Sequence, residues 1–595
     1  VGSEMCIRDS YKRTAGVYQK SDRNLWTGGR QMKRRFMALC LAGSMLLMTA
    51  LTGCQRAAGQ ANEGQENAGQ KNVEQTERTE TETLAVPEPV SMEDNYRTYY
   101  EVFVYSFYDG NGDGIGDLKG LTKKLDYIND GDPATMDDLG CNGIWLMPVM
   151  PSPTYHKYDT TDYYSIDPEY GTMEDFEAFL SACRERGIKV IMDLALNHTS
   201  SEHPWFQEAC SYLKELGDGE PDPGECPYVL YYNFSKEKKS GFSPVKGSDI
   251  WYYEAQFWDG MPDLNLYNEE LRAEIEKIAD FWLAKGVGGF RLDAAKEYVT
   301  GADGSNIEIL SWFNDVVKEK YPDAYLVAEV FSDMAVYEKY YDSGIDSLFD
   351  FDFANKDGII AKVVKGNTPA SFYSQRLQEI EGIFSAHNKD YIDAPFYTNH
   401  DMGRSAGYYA GEGSEAQTKL AGAMNLMMSG SAFIYYGEEL GMKGSGKDEN
   451  KRAPMYFSSD PSAEGMCRGP SDMDDFEMKF GSYEEQKDDP SSVYQYYKKA
   501  VYYRNLYPEI RKGTVNDLPE YDSDSVAAFT KTWEELQLHV LINVSGETQT
   551  LALQGNLQEA ALENGLYTGE EEADLTEGNL TIPPYGIVFL RSGMK

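Results

Sequence analysis

Four strand-like apolar runs in this chain each end in an ionisable group. Lys189-Val190-Ile191-Met192 closes on Asp193, Gly289-Phe290-Arg291-Leu292 on Asp293, and Tyr325-Leu326-Val327-Ala328 on Glu329, while a fourth run leads to Asp401. A single acidic residue at a strand end is readily explained as a helix cap or a surface turn. Four of them are harder to explain that way. Paired carboxyl groups are what glycoside hydrolysis needs: one attacks the anomeric carbon, and the other protonates the leaving oxygen and then activates water. A third can hold the sugar and keep the acid protonated through like charge. Arg291 lies two residues before Asp293, so on a strand both side chains project from one face. A guanidinium there keeps the carboxylate ionised for attack.

These residues need a scaffold that brings strand ends together. Gly143 to Pro148 reads as a buried strand, Met173 to Arg186 as a helix, and Leu271 to Lys285 as another helix before the strand ending at Asp293. Repeated β-then-α units predict a parallel sheet covered by helices, and about 400 residues of them suit a (β/α)8 barrel, whose C-terminal strand ends line one pocket. The expected fold class is therefore α/β: a TIM barrel over 92–198 and 260–513, with a small inserted domain after the third strand. That insertion, 199–259, loses the alternation and is rich in Gly, Pro, Tyr and charge. Alternating runs such as Leu536 to Ile542 predict a C-terminal all-β sandwich over 514–595. A length of 595 residues suits several cores, and 41% hydrophobic content can fill them. The net charge of −43 excludes nucleic acid as a natural partner, tolerates a neutral glucan, and supplies carboxylates to a hard cation.

The runs, in this order, resemble the signatures of glycoside hydrolase family 13, the α-amylase family, over roughly residues 96–595. Asp193-Leu194-Ala195-Leu196-Asn197-His198 resembles the first signature and Gly289 to Lys296 the second. Ala328-Glu329-Val330 resembles the third and Thr398-Asn399-His400-Asp401 the fourth, and Gly437-Glu438-Glu439-Leu440-Gly441 resembles the block at the last barrel strand. The resemblance implies Asp293 as nucleophile, Glu329 as acid/base and Asp401 as the carboxylate gripping sugar hydroxyls. It implies substrate contacts from Arg291, His198, His400, Asn399, Tyr158 and Lys296, with Tyr158 under the sugar being cleaved. Family members retain anomeric configuration, which predicts about 5–5.5 Å between the two catalytic carboxyls. Tyr155 stands where small-substrate α-glucosidases usually carry aspartate, which favours cleavage inside longer α-1,4-linked chains of starch or maltodextrin. Met261-Pro262-Asp263-Leu264-Asn265 is similar to a block in members intermediate between the oligo-1,6-glucosidase and neopullulanase groups. One departure is Glu297 after Lys296, where typical α-amylases continue with histidine. Phe257 and Trp258 are read either as acceptor-subsite rings or as core. An exo-acting α-glucosidase or transglucosidase, and an inactive glycan-binding lipoprotein, are the competing readings; inactive relatives lose the carboxylates that are all present here.

Asp109-Gly110-Asn111-Gly112-Asp113-Gly114-Ile115-Gly116-Asp117 puts oxygen donors at alternate positions with glycines between, the logic of a calcium loop, against the plain alternative of a turn that binds nothing. By resemblance to the loop after the first barrel strand in bacterial family members, Asp109, Asn111, Asp113 and Asp117 ligate structural calcium by side chain and Ile115 by its carbonyl. A second calcium through Asn197 is left open. Met32-Lys33-Arg34-Arg35, the apolar run Phe36 to Thr52, and Gly53-Cys54 resemble a bacterial lipoprotein signal. A short transmembrane anchor is the alternative. The expectation is a leader over 32–54 preceded by a non-native 1–31, lipidation at Cys54, a flexible spacer over 55–91, and a monomer on the extracellular face of the membrane. Of the remaining cysteines, Cys210 and Cys226 either close a loop or stay free.

Overall fold

The computed structural model describes residues 85–592. The leader, Cys54 and nearly all of the spacer lie outside the described residues. The first ten strands are β1 (Thr98–Val102), β2 (Gly143–Leu146), β3 (Lys189–Leu194), β4 (Phe234–Ser235), β5 (Phe242–Pro244), β6 (Tyr252–Glu254), β7 (Gly289–Leu292), β8 (Tyr325–Ala328), β9 (Ser347–Leu348) and β10 (Ala432–Tyr435). Seven of them form one parallel sheet in the order β10-β1-β2-β3-β7-β8-β9. Parallel bridges from Phe349 to Ala394 and from Phe396 to Phe433 place the segment 394–396 between the two edges. That closes the ring with eight positions, as the barrel expectation requires. This eighth element, on the strand-like run that leads to Asp401, pairs through single bridges only.

The strands are short apolar runs because both of their faces are covered. Inside the ring, Tyr99 stacks between Tyr325 and Phe433 at centroid distances of 5.3 and 4.9 Å, and Trp145 packs on Phe349. These rings make the barrel a filled core rather than a pore. Outside, the helix Met173–Glu185 starts at a capping box of Thr172 and Asp175 and buries Phe176 and Phe179. The helix Glu269–Ala284 begins two residues before the expected Leu271, because Asn268 accepts the amide of Leu271 and fixes the first turn there.

The insertion after β3 carries the helix Pro204–Leu216 and the small antiparallel sheet β4-β6-β5. Phe206 packs edge-on against Tyr232 and Tyr253, and the bridges His198–Asp263 and Tyr232–Leu264 tie the insertion back to the barrel. At the C-terminal end follow β11 (Thr514–Asp517), β12 (Val526–Trp533), β13 (Leu536–Asn543), β14 (Gln549–Ala552), β15 (Ala561–Leu566), β16 (Asp574–Thr576), β17 (Asn579–Ile582) and β18 (Ile587–Arg591). A five-stranded sheet, β11-β12-β13-β18-β15, and a three-stranded sheet, β14-β17-β16, enclose a core that includes Leu541, Leu580, Ile582 and Val588. Cys141, Cys183, Cys210, Cys226 and Cys467 are all free and buried. The loop-closing alternative for Cys210 and Cys226 is thus not adopted.

Gly289 starts the strand that carries Arg291 and leads into Asp293. Its φ is +148°, and a Cβ there would meet the Tyr325 carbonyl oxygen of β8 at 1.9 Å. The close approach of these two strands therefore requires glycine. Gly289→Ala is expected to destabilise the protein by about 3 kcal/mol or more through backbone strain and overpacking. Chemical denaturation would check this, and a wild-type midpoint would refute the constraint.

Candidate active site

Asp193, Arg291, Asp293 and Glu329 come from three adjacent strands, β3, β7 and β8, and meet at the C-terminal end of the barrel. Arg291 is the hub. Its Nη1 donates to Asp193 Oδ1 at 2.9 Å and to Asp293 Oδ1 at 2.5 Å, and its Nη2 lies 3.0 Å from Glu329 Oε2. The guanidinium also lies over the faces of Trp145 and Tyr158, 5.2 and 5.7 Å from the ring centroids. It is buried, so one cation with no access to bulk water balances three carboxyl groups.

Exposure sorts the carboxylates by task. The Asp193 side chain is fully buried, whereas Asp293, Glu329 and Asp401 remain 12%, 14% and 36% exposed. Asp193 accepts from Trp145 Nε1 and Tyr158 Oη at its Oδ2. It is thus an internal support rather than part of the pocket wall, although its strand-end position resembles that of the others. Burial pushes the Asp193 carboxyl above its ordinary value, with Arg291 opposing.

Glu329 Oε2 accepts from the Ala294 backbone amide at 3.1 Å as well as facing Arg291. Both restraints act on one oxygen and leave Oε1 uncommitted. Burial raises the Glu329 pKa, Arg291 lowers it, and the charges of Asp293 and Asp401 raise it further. Raised above the ordinary range, such a carboxyl can carry a proton for donation. Asp293 Oδ1 is committed to Arg291, which leaves Oδ2 open toward the pocket.

Asp401 lies beyond the bridge at Phe396, in a turn rather than at a strand end. Asn399 Oδ1 caps that turn by accepting the Asp401 amide at 3.0 Å. His400 Nε2 lies 3.2 Å from Asp401 Oδ2, and Arg452 Nη2 lies 3.2 Å from Oδ1. Burial opposes the charge on Asp401, but these two groups outweigh it and hold the carboxyl well below the usual range. Tyr158 stacks on His400 with centroids 5.5 Å apart. His198 is buried against Phe257, and its Nε2 has no protein partner. Burial lowers its pKa, so a neutral ring is available to a ligand hydroxyl. Lys296 is half-buried, with Nζ 3.8 Å from Glu297, and Trp258 is exposed. The sequence reading missed Arg452 and Glu101, which accepts from His400 at 2.6 Å. A charged residue inside the apolar run Tyr99–Val102 was the signal for Glu101; Arg452, in a polar loop, gave none. Glu438 and Glu439 are buried against Thr398, Tyr497, Tyr100 and Tyr127, and act as internal supports.

In the loop 109–117, Asp109 accepts the amides of Asn111, Gly112 and Gly114, and Asn111 accepts that of Asp113. Asp113 accepts from Ile115, and Asp117 from Gly110 and Gly120. The donor chemistry suits a hard divalent ion, with lone pairs to spare. Among the described residues, however, no three His, Cys, Asp or Glu are gathered into a metal cluster.

Residues 101–513 match the family model described as alpha amylase, catalytic domain, and 526–588 match the alpha-amylase SusG C-terminal domain. Alpha-amylase 3 of Dictyoglomus thermophilum is 36% identical, covering 83% of this chain and 92% of its own. Oligo-1,6-glucosidase of Parageobacillus thermoglucosidasius is 29% identical, over 76% and 91% of the two chains. The solved structure of Eubacterium rectale Amy13B is 47% identical, with a TM-score of 0.82, over 86% of this chain and 98% of that one.

Removing the hub tests the electrostatic account. In Arg291→Met the carboxyls of Asp193, Asp293 and Glu329 lose their cation, at a cost of about 3–5 kcal/mol near neutral pH. The Asp193 and Glu329 carboxyls, already raised by burial, then rise further above their unfolded values, so the folded state binds more protons and loses stability as pH rises. The deficit relative to wild type should shrink between pH 8 and pH 5 in parallel urea titrations. A deficit that grows on acidification would contradict it.

Proposed function

We propose, from the premise that this chain belongs to the α-amylase family of glycoside hydrolases, that it cleaves internal α-1,4 bonds of starch-like glucans by double displacement. The observation that carries this reading is the sharing of one buried guanidinium by Asp293 and Glu329. Asp293, ion-paired with Arg291, attacks the anomeric carbon, while Glu329 Oε1 gives its proton to the departing glycosidic oxygen. Water then enters, Glu329 takes back a proton, and the Asp293 ester is broken with a second inversion, so configuration is retained. Asp401, His400, Tyr158 and the unpartnered His198 Nε2 surround the sugar to be cleaved, and Asn399 shapes the turn beneath it. Lys296, Trp258 and Phe257 border the acceptor side.

Tyr155 supports endo action. It packs edge-on against Phe103 and Tyr105, and puts no carboxylate where a terminal glucose would be gripped. The leader adds a location to the proposal: a lipid anchor at Cys54 on the outer face of a bacterial membrane, with polymeric substrate outside. A structural calcium ion would be held by Asp109, Asn111, Asp113, Asp117 and the Ile115 carbonyl. It would neutralise the loop and stiffen the end of the barrel after β1.

Digestion of soluble starch should release mixed maltooligosaccharides early, and Asp293→Asn should abolish this. Glu329→Gln should lose about 10³-fold on starch. It should still be glycosylated by an α-maltosyl fluoride, whose leaving group needs no proton. Glucose release from maltose without thinning of starch would replace endo action by α-glucosidase action. Turnover of no glucan by folded protein would leave a binding protein. Calcium at roughly 100-fold over its dissociation constant should add about 2.7 kcal/mol of stability by linkage. Asp109→Ala should lose that gain, and identical melting with calcium or chelator would exclude the ion.

A further inference from the structure

Glu101 has no role in the reaction as described, yet it is a carboxylate in the middle of a buried strand. It lies on β1 between Tyr435 of β10 and Trp145 of β2, on the same face as Tyr99 inside the barrel. Its side chain is 1% exposed. A buried charge persists only where it is paired and hydrogen-bonded. The partner is His400, whose Nδ1 lies 2.6 Å from Glu101 Oε1 and whose side chain is equally buried.

The other edge of the imidazole decides where the protons are. The Tyr158 hydroxyl lies 3.0 Å from Asp193 Oδ2 and 2.8 Å from His400 Nε2, and when its single proton goes to Asp193 it accepts from the ring. Asp401 Oδ2, 3.2 Å from Nε2, is also an acceptor. Both ring nitrogens therefore face acceptors, and a neutral imidazole can satisfy only one of them. Trp145, edge-on at 5.7 Å, and Tyr158, stacked at 5.5 Å, prevent the ring from turning away.

We propose that Glu101 is a positioning residue for glycoside cleavage: it holds His400 as a doubly protonated imidazolium, so that Nε2–H is fixed toward Asp401 and the sugar hydroxyls this pair grips. The assignment rests on the proposed glycosidase reading for its functional consequence, though not for the protonation state itself. The groups facing His400 are Glu101 from β1, Asp401 beside it and Tyr158 from the loop after β2, with Asp193 on β3 behind Tyr158. Against them stand Arg291 on β7, 3.5 Å from the Tyr158 hydroxyl, and Arg452 beyond Asp401. Burial lowers the His400 pKa, but Asp401 and Glu101 outweigh it and raise it to about 9. The positive ring keeps Asp401 ionised, and Asp401 in turn holds the ring in its charged form.

The direct test is the nitrogen-15 spectrum of the histidine side chains in the wild-type protein, which has six histidines, with His400→Asn used only for assignment. At pH 8 the His400 ring should carry protons on both nitrogens, where an ordinary histidine is neutral. In Glu101→Gln, which keeps the shape and removes the charge, it should lose one proton below pH 8. In the same variant kcat/KM on maltoheptaose should fall about tenfold or more, mostly in kcat, because the grip on the sugar matters most in the transition state. The alkaline limb of the pH profile should move down by about one unit or more. A singly protonated His400 in wild type at pH 8 would overturn the assignment without any variant. So would a folded Glu101→Gln protein with unchanged ring nitrogens and unchanged kcat. Because the spectrum needs no turnover, it stands or falls separately from the glycosidase reading.

Discussion

Everything at the C-terminal end of this barrel depends on placing one guanidinium inside it. Arg291 is buried under Trp145 and Tyr158 and holds Asp193, Asp293 and Glu329 at once. Three carboxylates this close would otherwise neutralise themselves by taking up protons. The cation lets them differ instead. Asp193 is sealed, Asp293 keeps one oxygen free, and Glu329 is restrained through a single oxygen by Arg291 and the Ala294 amide. The parallel register sets this up: Arg291 lies opposite Asp193 on β3 and opposite Val327 on β8, two residues before Glu329.

A second charged cluster meets the first at Tyr158. Glu101, His400, Asp401 and Arg452 alternate in sign from the barrel interior to the pocket. Tyr158 touches both clusters, donating to Asp193 and contacting His400. The clusters serve opposite needs. In one, burial and neighbouring charge raise the Glu329 carboxyl; in the other, His400 and Arg452 hold Asp401 firmly ionised. A division of this kind between neighbouring carboxyls is how a single site separates acid from anion.

Much of this was legible in the sequence because the strands are short, apolar and end in the residues that matter. The alternation gave the parallel barrel, the loss of alternation after His198 marked the insertion, and the return of alternation near Leu536 marked the β-sandwich. What the sequence concealed was depth. Asp193 and Asp293 occupy similar strand ends, yet one is sealed and the other reaches solvent, a difference set by Trp145 and Tyr158 from distant segments. Glu101 and Arg452 are separated by more than half the chain and meet the site at His400 and Asp401. The run leading to Asp401 was legible, but not that its segment 394–396 pairs through single bridges alone, nor that Asp401 sits in a turn beyond it. The free state of Cys210 and Cys226 depends on local packing that spacing does not encode.

The central claim is that Asp293 forms the covalent bond to the sugar. The most direct measurement is to trap the glycosyl-enzyme with a 5-fluoro-α-glucosyl fluoride, digest it, and locate the added mass by tandem mass spectrometry. The account predicts one adduct per chain, on the peptide containing Gly289 to Lys296 and on Asp293 itself. An adduct on another carboxylate, or no adduct together with first-formed products of inverted configuration, would contradict it.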